Sequence, residues 1–334
     1  MATILYLTQI QFEFGAIRQL AAECERIGIR RPLVVTDAGV RAAGVLQKAL
    51  DALVDLPVTV FDQTPPNPTE AAVRAAHAVW QAAGCDGLIA VGGGSSIDLA
   101  KGLAIMATHP GSLTPYATIE GGSPKVTAIC DPELTLGLPP ALTAATGMDA
   151  IAHCMETFMA PAFNPPADGI ALDGLERAWA HIERATRDGS DREARLNMMS
   201  ASMQGAMAFQ KGLGAVHSLS HSLGGVNPKL HHGTLNAMFL PAVIQFNAGA
   251  ESIQKERRLA RMAHAMGLAS EADIPQAIRD MNARLGLPKG LAAMGVQREW
   301  FDRIISGAMA DHCHKTNPRV ATAEEYRDIL EASM

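Results

Sequence analysis

The chain is poor in aromatic residues and lacks both blocks of a single charge and long apolar runs. Trp, Tyr and Phe number 3, 3 and 9 in 334 residues, while alanine, leucine and methionine are plentiful, a balance that leans towards helix. Basic residues number 28 and acidic ones 34, interspersed, for a net charge of −6. With no Lys/Arg block and no aromatic-basic interleaving, the footprint of a nucleic-acid binder is missing. No apolar stretch approaches the ~20 residues of a membrane span. The opening "MATILYLTQIQFEFG" has neither a basic leader region nor a small-residue cleavage site, so the expectation is a cytoplasmic protein with no membrane partner. The five cysteines are scattered and odd in number, which reads as reduced thiols rather than a disulfide framework. What is present is 48% apolar and 19% charged sequence, enough for a large core, over a length that predicts about two domains.

The first part alternates between two periods. "PLVVT" (32–36) and "PVTVF" (57–61) are short strand-like runs, and the segments 39–53 and 70–84 have helical spacing. "DGLIAVGGGSSIDLAKGLAIMAT" (86–108) adds another strand and helix. This succession predicts a parallel sheet with crossover helices. Beyond about Pro140 the strand-like runs stop. Helices are predicted at 142–160, 167–186, 190–211, 234–247, 253–266 and 272–285, with last turns near 298–308 and 322–333. The expectation is a Rossmann-like dinucleotide-binding α/β domain over 1–139 and a helical catalytic domain over 140–334.

Two patterns carry chemistry. "LIAVGGGSSIDLAK" puts three glycines directly between a strand and a helix. Lacking Cβ atoms, they let the backbone approach a ligand, and the following helix N-terminus favours a phosphate or pyrophosphate. A tight strand-to-helix turn with no ligand is the plain alternative. In "LVVTDAG", Asp37 ends an early strand, where it could accept hydrogen bonds from a ribose diol and favour NAD over NADP, or serve only as a turn former.

The second pattern is histidine. Of eleven in the chain, four fall within "GAVHSLSHSLGGVNPKLHHG": His217, His221, His231 and His232. His217 and His221 share a helix face if that stretch is helical. Asp149 and His153 repeat the same spacing inside the apolar run "GMDAIAHCMETF". A buried, unpaired charge is costly, and a divalent cation would supply the reason for both pairs. An Asp with three His suits Fe²⁺ or Zn²⁺. The plain readings are a satisfied core histidine and a local Asp–His hydrogen bond. His77 and His264 lie on ordinary helices, and "DHCHKTNPR" (311–319) is read as structural.

"GGGSSIDLAK", "DPELTLGLPPALTAATGMDAIAHCMETF" and "LGAVHSLSHSLGG…HHGTLNAMFLP" resemble the iron-containing (group III) alcohol dehydrogenases over most of the chain and in the right order. The resemblance implies a dehydroquinate synthase-like fold, a dinucleotide-binding α/β domain followed by a helical metal-binding one. It implies Asp149, His153, His217 and His232 as metal ligands, with His231 as the alternative to His232. It places His221 near the nicotinamide as a proton shuttle, and Asp37, Asn67, Gly93, Gly94, Ser95, Ser96 and Asp98 at the cofactor. The cofactors implied are NAD and Fe²⁺ or Zn²⁺. The partners implied are a small alcohol, diol, hydroxy acid or aldehyde and, by analogy, a second subunit in a homodimer.

One departure stands out. The family carries a segment resembling "PTTAGTGSE" between the glycine turn and "DPELT", whereas here "GGSPKVTAIC" runs straight into "DPELTLGLPP". Its true absence would open a non-catalytic relative as an alternative. Further alternatives are a metal-independent reductase resembling maleylacetate reductase and a lyase like dehydroquinate synthase. The intact ligand set opposes the reductase, and the scarcity of Lys/Arg in the helical half opposes the lyase.

Overall fold

A computed structural model describes residues 9–109 and 127–334. The chain divides into two compact units: one runs to Leu134, the other takes in Thr135–Met334. The junction of "GGSPKVTAIC" with "DPELTLGLPP", where the family's extra segment would enter, lies at Cys130 and Asp131 within the described residues, and there a strand ending at Cys130 passes directly into a turn over Pro132–Thr135.

The first unit is an α/β layer structure. Its elements are β1 (Gln9–Phe12), α1 (Leu20–Ile27), β2 (Pro32–Val35), α2 (Ala38–Ala42), α3 (Val45–Asp51), β3 (Thr59–Phe61), α4 (Glu70–Ala82), β4 (Gly87–Ala90), α5 (Gly94–Thr108) and β5 (Thr127–Cys130). β2 lies between β3 and β4, both parallel to it, with Val34 opposite Val60 and Ile89. Leu33, Val34 and Val35 are fully buried, as expected where helices cover both faces of a parallel sheet. β1 pairs in parallel with β5, Gln9 against Thr127 through Phe12 against Cys130. The buried Asp131 carboxylate fastens this pair by accepting from the Gly15 and Ile17 amides.

The second unit is helical throughout. It comprises α6 (Pro140–Met159), α7 (Pro165–Arg187), α8 (Arg192–Met207), α9 (Ala215–Val226), α10 (His232–Asn247), α11 (Glu251–Lys255), α12 (Arg258–Ala265), α13 (Ile274–Arg284), α14 (Phe301–Ala310) and α15 (Ala323–Ala332). α6 is its axis. It packs against α7, α8 and α10, and Met148, Ile151, Met155 and Phe158 are fully buried. A helix apolar nearly all round belongs in a core. Each such side chain removed from water contributes about 1.5–3 kcal/mol. Helix ends are set by local chemistry: Asn164 caps α7 ahead of Pro165, and Thr322 with Glu325 forms a capping box at α15.

Two segments predicted as single helices are broken. The helix expected over 39–53 splits at Gly44, whose φ of 75° is left-handed and ends a helix as a C-terminal glycine does. The one expected over 253–266 breaks at Arg257, the only non-glycine with positive φ among the described residues. The break turns Arg258 inward, where its guanidinium bonds Asp168 and lies over the Phe158 ring. Neither β1 nor α1 has a clear sequence signature.

Candidate metal centre

Three helices converge on one small volume. α6 supplies Asp149 and, one turn later, His153. α9 supplies His217, and α10 opens with His232. The Nε2 atoms of His153, His217 and His232 lie 3.6, 3.8 and 3.6 Å from Asp149 Oδ1. The ligand-capable atoms of all four lie within 4.8 Å of one another. His231, the residue before α10, is not part of this group among the described residues.

Glycine makes the approach possible. A Cβ on Gly233 would come within 2.2 Å of the Ala145 carbonyl oxygen. A backbone atom of α6 cannot yield as a side-chain tip would, so only glycine lets α10 start against α6 and bring His232 to Asp149. The "HG" dipeptide is therefore a packing requirement as well as a ligand signal.

The electrostatics follow from burial. Burial alone would raise the Asp149 pKa, but His153, a hydrogen bond from His217, and His232 together hold it well below the usual carboxylate range. Burial lowers His153 to about 3 and His232 to about 4, so both rings are neutral at pH 7 and offer lone pairs. His217 goes the other way: burial opposes its charge, yet hydrogen bonds to Asp149 and Glu156 raise it to about 9. His217 thus stands between two carboxylates, Asp149 and Glu156, where positive charge is favoured.

Sequence reading missed three supporting residues. Glu156, on α6 one turn beyond His153, is buried and accepts from the Gly214, Val216 and His217 amides at the start of α9. Its Oε2 also lies 2.6 Å from His217 Nδ1. A carboxylate can only accept, so Nδ1 carries hydrogen and Nε2 is the atom left for a metal. Asp311 Oδ2 lies 3.0 Å from His221 Nδ1, and the Asp311 pKa is lowered to about 2 because bonds from His221 and the Cys313 amide overcome burial. Asn236 lies one turn beyond His232, buried against the ligands. Spacing along α6 could have flagged Glu156; Asp311 is 90 residues from its partner and left no local trace.

His221 is not one of the four converging groups. Its ring stacks on His232 at 5.4 Å and meets His217 edge-on at 5.6 Å. It stands beside the centre, with Asp311 behind it. A second triad of ligand types, His221, Asp311 and Cys313, also lies close together. Its thiol is pushed far up by burial and by Asp311, and its His–Asp pair is already hydrogen-bonded.

In the α/β unit the glycine turn follows β4. Gly92 has φ 137°, and a Cβ there would press on Ser96 and Val40. Gly93 and Gly94 have open space where a side chain would stand, and Gly93 is the N-cap of α5. That leaves backbone amides at a helix N-terminus accessible to an anion. Asp37 caps α2 by accepting from Val40 N, and its other oxygen lies 3.4 Å from Ser96 Oγ. The Ser95 hydroxyl donates to the Pro66 carbonyl, Asp98 pairs with Lys101, and Asn67 is exposed. Asp37 and Ser96 thus build the turn itself, and the open backbone at 93–94 is the surface free to meet a ligand.

Comparisons with known proteins fit this anatomy. The family model "Iron-containing alcohol dehydrogenase" matches residues 8–154, and "Fe-containing alcohol dehydrogenase family, C-terminal" matches 143–334. The 4-hydroxybutyrate dehydrogenase of Cupriavidus necator is 61% identical, with all of both chains covered. That alignment spans 382 positions against 334 residues here, so at least 48 residues of the relative have no counterpart in this chain. The NAD-dependent methanol dehydrogenase of Bacillus methanolicus is 31% identical, covering 96% of each chain. A crystal structure of 1,3-propanediol oxidoreductase superposes with a TM-score of 0.90 at 30% identity, covering both chains fully. No helix among the described residues is long and apolar enough to cross a membrane.

Proposed function

This chain belongs to the iron-containing alcohol dehydrogenase family, and from that premise we propose that it oxidises a small ω-hydroxy acid, or reduces the matching aldehyde, at a metal-dependent centre using NAD(H). As a member it is an oxidoreductase acting on alcohols. The acid-bearing substrate is inferred from the relative named 4-hydroxybutyrate dehydrogenase, 61% identical from end to end. The observation that carries the metal reading is the meeting of one carboxylate and three imidazoles from three helices within 4.8 Å.

The donor set fits a divalent ion of the Fe²⁺ or Zn²⁺ kind. Asp149, His153, His217 and His232 would hold it, and when bound it would supply Lewis acidity towards an alcohol oxygen. Glu156 keeps His217 in the tautomer that presents Nε2. His221 would take the proton from the alcohol oxygen, and NAD⁺, when bound, would supply the acceptor for the hydride of the hydroxyl-bearing carbon, so that the alcohol gives an aldehyde, NADH and a proton. Asp311 holds the ring by Nδ1, so that Nε2 is the working nitrogen. The glycine turn at Gly93 and Gly94 is the proposed pyrophosphate contact, with Asp37, Asn67, Ser95, Ser96 and Asp98 around it. The proposed domain roles are dinucleotide binding over 1–139 and catalysis over 140–334. A homodimer in the cytoplasm is the proposed setting.

The test is metal analysis on anaerobically purified protein, coupled to NADH oxidation. The protein should hold about one Fe²⁺ or Zn²⁺ per chain, and D149A should lose metal and activity together. A four-carbon aldehyde acid should give a higher kcat/KM than the same aldehyde without its carboxylate. Full activity after complete metal removal would overturn the metal reading, and equal kcat/KM for the two aldehydes would overturn the substrate.

A further inference from the structure

We infer that Asn236 is a further member of the cation site, with its carboxamide oxygen turned to the ion and covering the face of the donor set made by Asp149, His217 and His232. This rests on the reading above that those residues and His153 hold a divalent cation.

Asn236 is fully buried. Its Nδ2 lies 2.6 Å from Asp149 Oδ1, 3.1 Å from His232 Nε2 and 3.2 Å from His217 Nε2. Asp149 Oδ1 and His232 Nε2 already take the two hydrogens that this nitrogen carries, so none is left for His217 Nε2. At the other end of the same amide, Oδ1 has no hydrogen-bond partner among the described residues. A buried carbonyl oxygen left unpaired costs about 1–3 kcal/mol, and buried amides are ordinarily satisfied at both ends.

A cation among the four donors reverses the preference. The lone pairs on Asp149, His217 and His232 would then be spent on the ion. The Nδ2 hydrogens would lose their acceptors and point at positive charge. A half-turn about Cβ–Cγ exchanges two ends of nearly equal size, and the oxygen gives up no hydrogen bond in moving because it has none. Turned inward, it is a hard, neutral donor beside one anionic oxygen and three nitrogens. It raises the number of protein donors above four, which favours an ion at ease with five or six ligands, Fe²⁺, over one that prefers four, Zn²⁺. Asn236 makes no contact with His153 among its hydrogen bonds, so the sides of the site next to His153 stay open for an exchangeable oxygen.

The test uses Co²⁺ as the probe, because its visible d–d absorption is several-fold more intense in four-coordination than in five or six. The metal-stripped full chain is loaded with Co²⁺, and its spectrum and its rate of release to a chelator are recorded. N236L matches the side chain in size but offers no donor and leaves no room for water in its place. It should give a several-fold stronger band and at least tenfold faster release. N236D restores an oxygen in the same position. It should keep the weak band and release Co²⁺ at least tenfold more slowly than the wild type. An unchanged band and release rate in N236L would overturn the inference. Should N236L fail to fold, unchanged or faster release from the near-isosteric N236D would overturn it alone. Failure of the wild-type protein to take up Co²⁺ is a different outcome, because it removes the four-residue site on which the inference rests.

Discussion

At the scale of single residues, the site separates into groups that would touch the proposed ion and groups that aim them. Glu156 is the clearest of the second kind: three backbone amides and one imidazole all donate to it. E156Q keeps the shape but turns a donor towards groups that are themselves donors. Metal affinity should fall by about 10–100-fold, as for other groups that orient a ligand, and competition with a graded chelator would measure it. Asp311 aims His221, the proposed proton carrier, instead. D311N should retain full metal content while lowering kcat more than it changes KM, with H221A behaving the same way. Metal loss in D311N would place Asp311 in the wrong class. The proposed ligands were legible in the sequence because helical spacing pairs Asp149 with His153 and His217 with His221. His231 and His232 could not be told apart there, since adjacent residues at a helix start differ only in the direction the backbone gives them. Asp311 was hidden because its partner is distant in sequence, and Asn236 because an asparagine one turn from a histidine reads as ordinary helix.

At the scale of elements, close crossings decide whether the donors can meet. Gly233 lies against the backbone of α6, so G233A must push α10 away or distort it. Forced overpacking of this kind costs about 1–3 kcal/mol, and the start of α10 carries His232. The expected result is a lower melting temperature together with weakened metal retention; retention unchanged in a well-folded G233A would show that the crossing has slack. Most helices of the second unit were legible because their apolar spacing is long and regular. The breaks at Gly44 and Arg257 were not. Gly44 sits among good helix formers, and Arg257 adopts its left-handed φ to place Arg258 against Asp168, a tertiary demand that no local pattern records. The four-residue strands β1 and β5 are too short for period-two alternation to stand out.

At the scale of the whole molecule, the proposed ion joins three helices that enter the site from well-separated parts of the second unit, and so should act as a staple for it. A ligand that binds only the folded state stabilises by about 2.7 kcal/mol at a hundred times its dissociation constant. Stripping the metal should therefore lower the melting temperature, and re-addition of Fe²⁺ or Zn²⁺ should restore it. Differential scanning calorimetry on stripped and reloaded protein would check this, and superimposable transitions would count against an ion bound there. The two-part architecture was readable from the switch between strand-like and helical runs near Pro140. The family segment that is missing before Asp131 was legible as a gap between two intact motifs.

The parallel pairing of β1 with β5, clasped by Asp131 onto Gly15 and Ile17, sets a timetable for biosynthesis. The strand made first must wait for a partner 118 residues behind it, Gln9 for Thr127. At roughly 5–20 residues per second that delay is on the order of 6–24 seconds. During it a nascent edge of Gln-Ile-Gln-Phe stands unpaired outside the ribosome, in need of shelter until the clasp arrives.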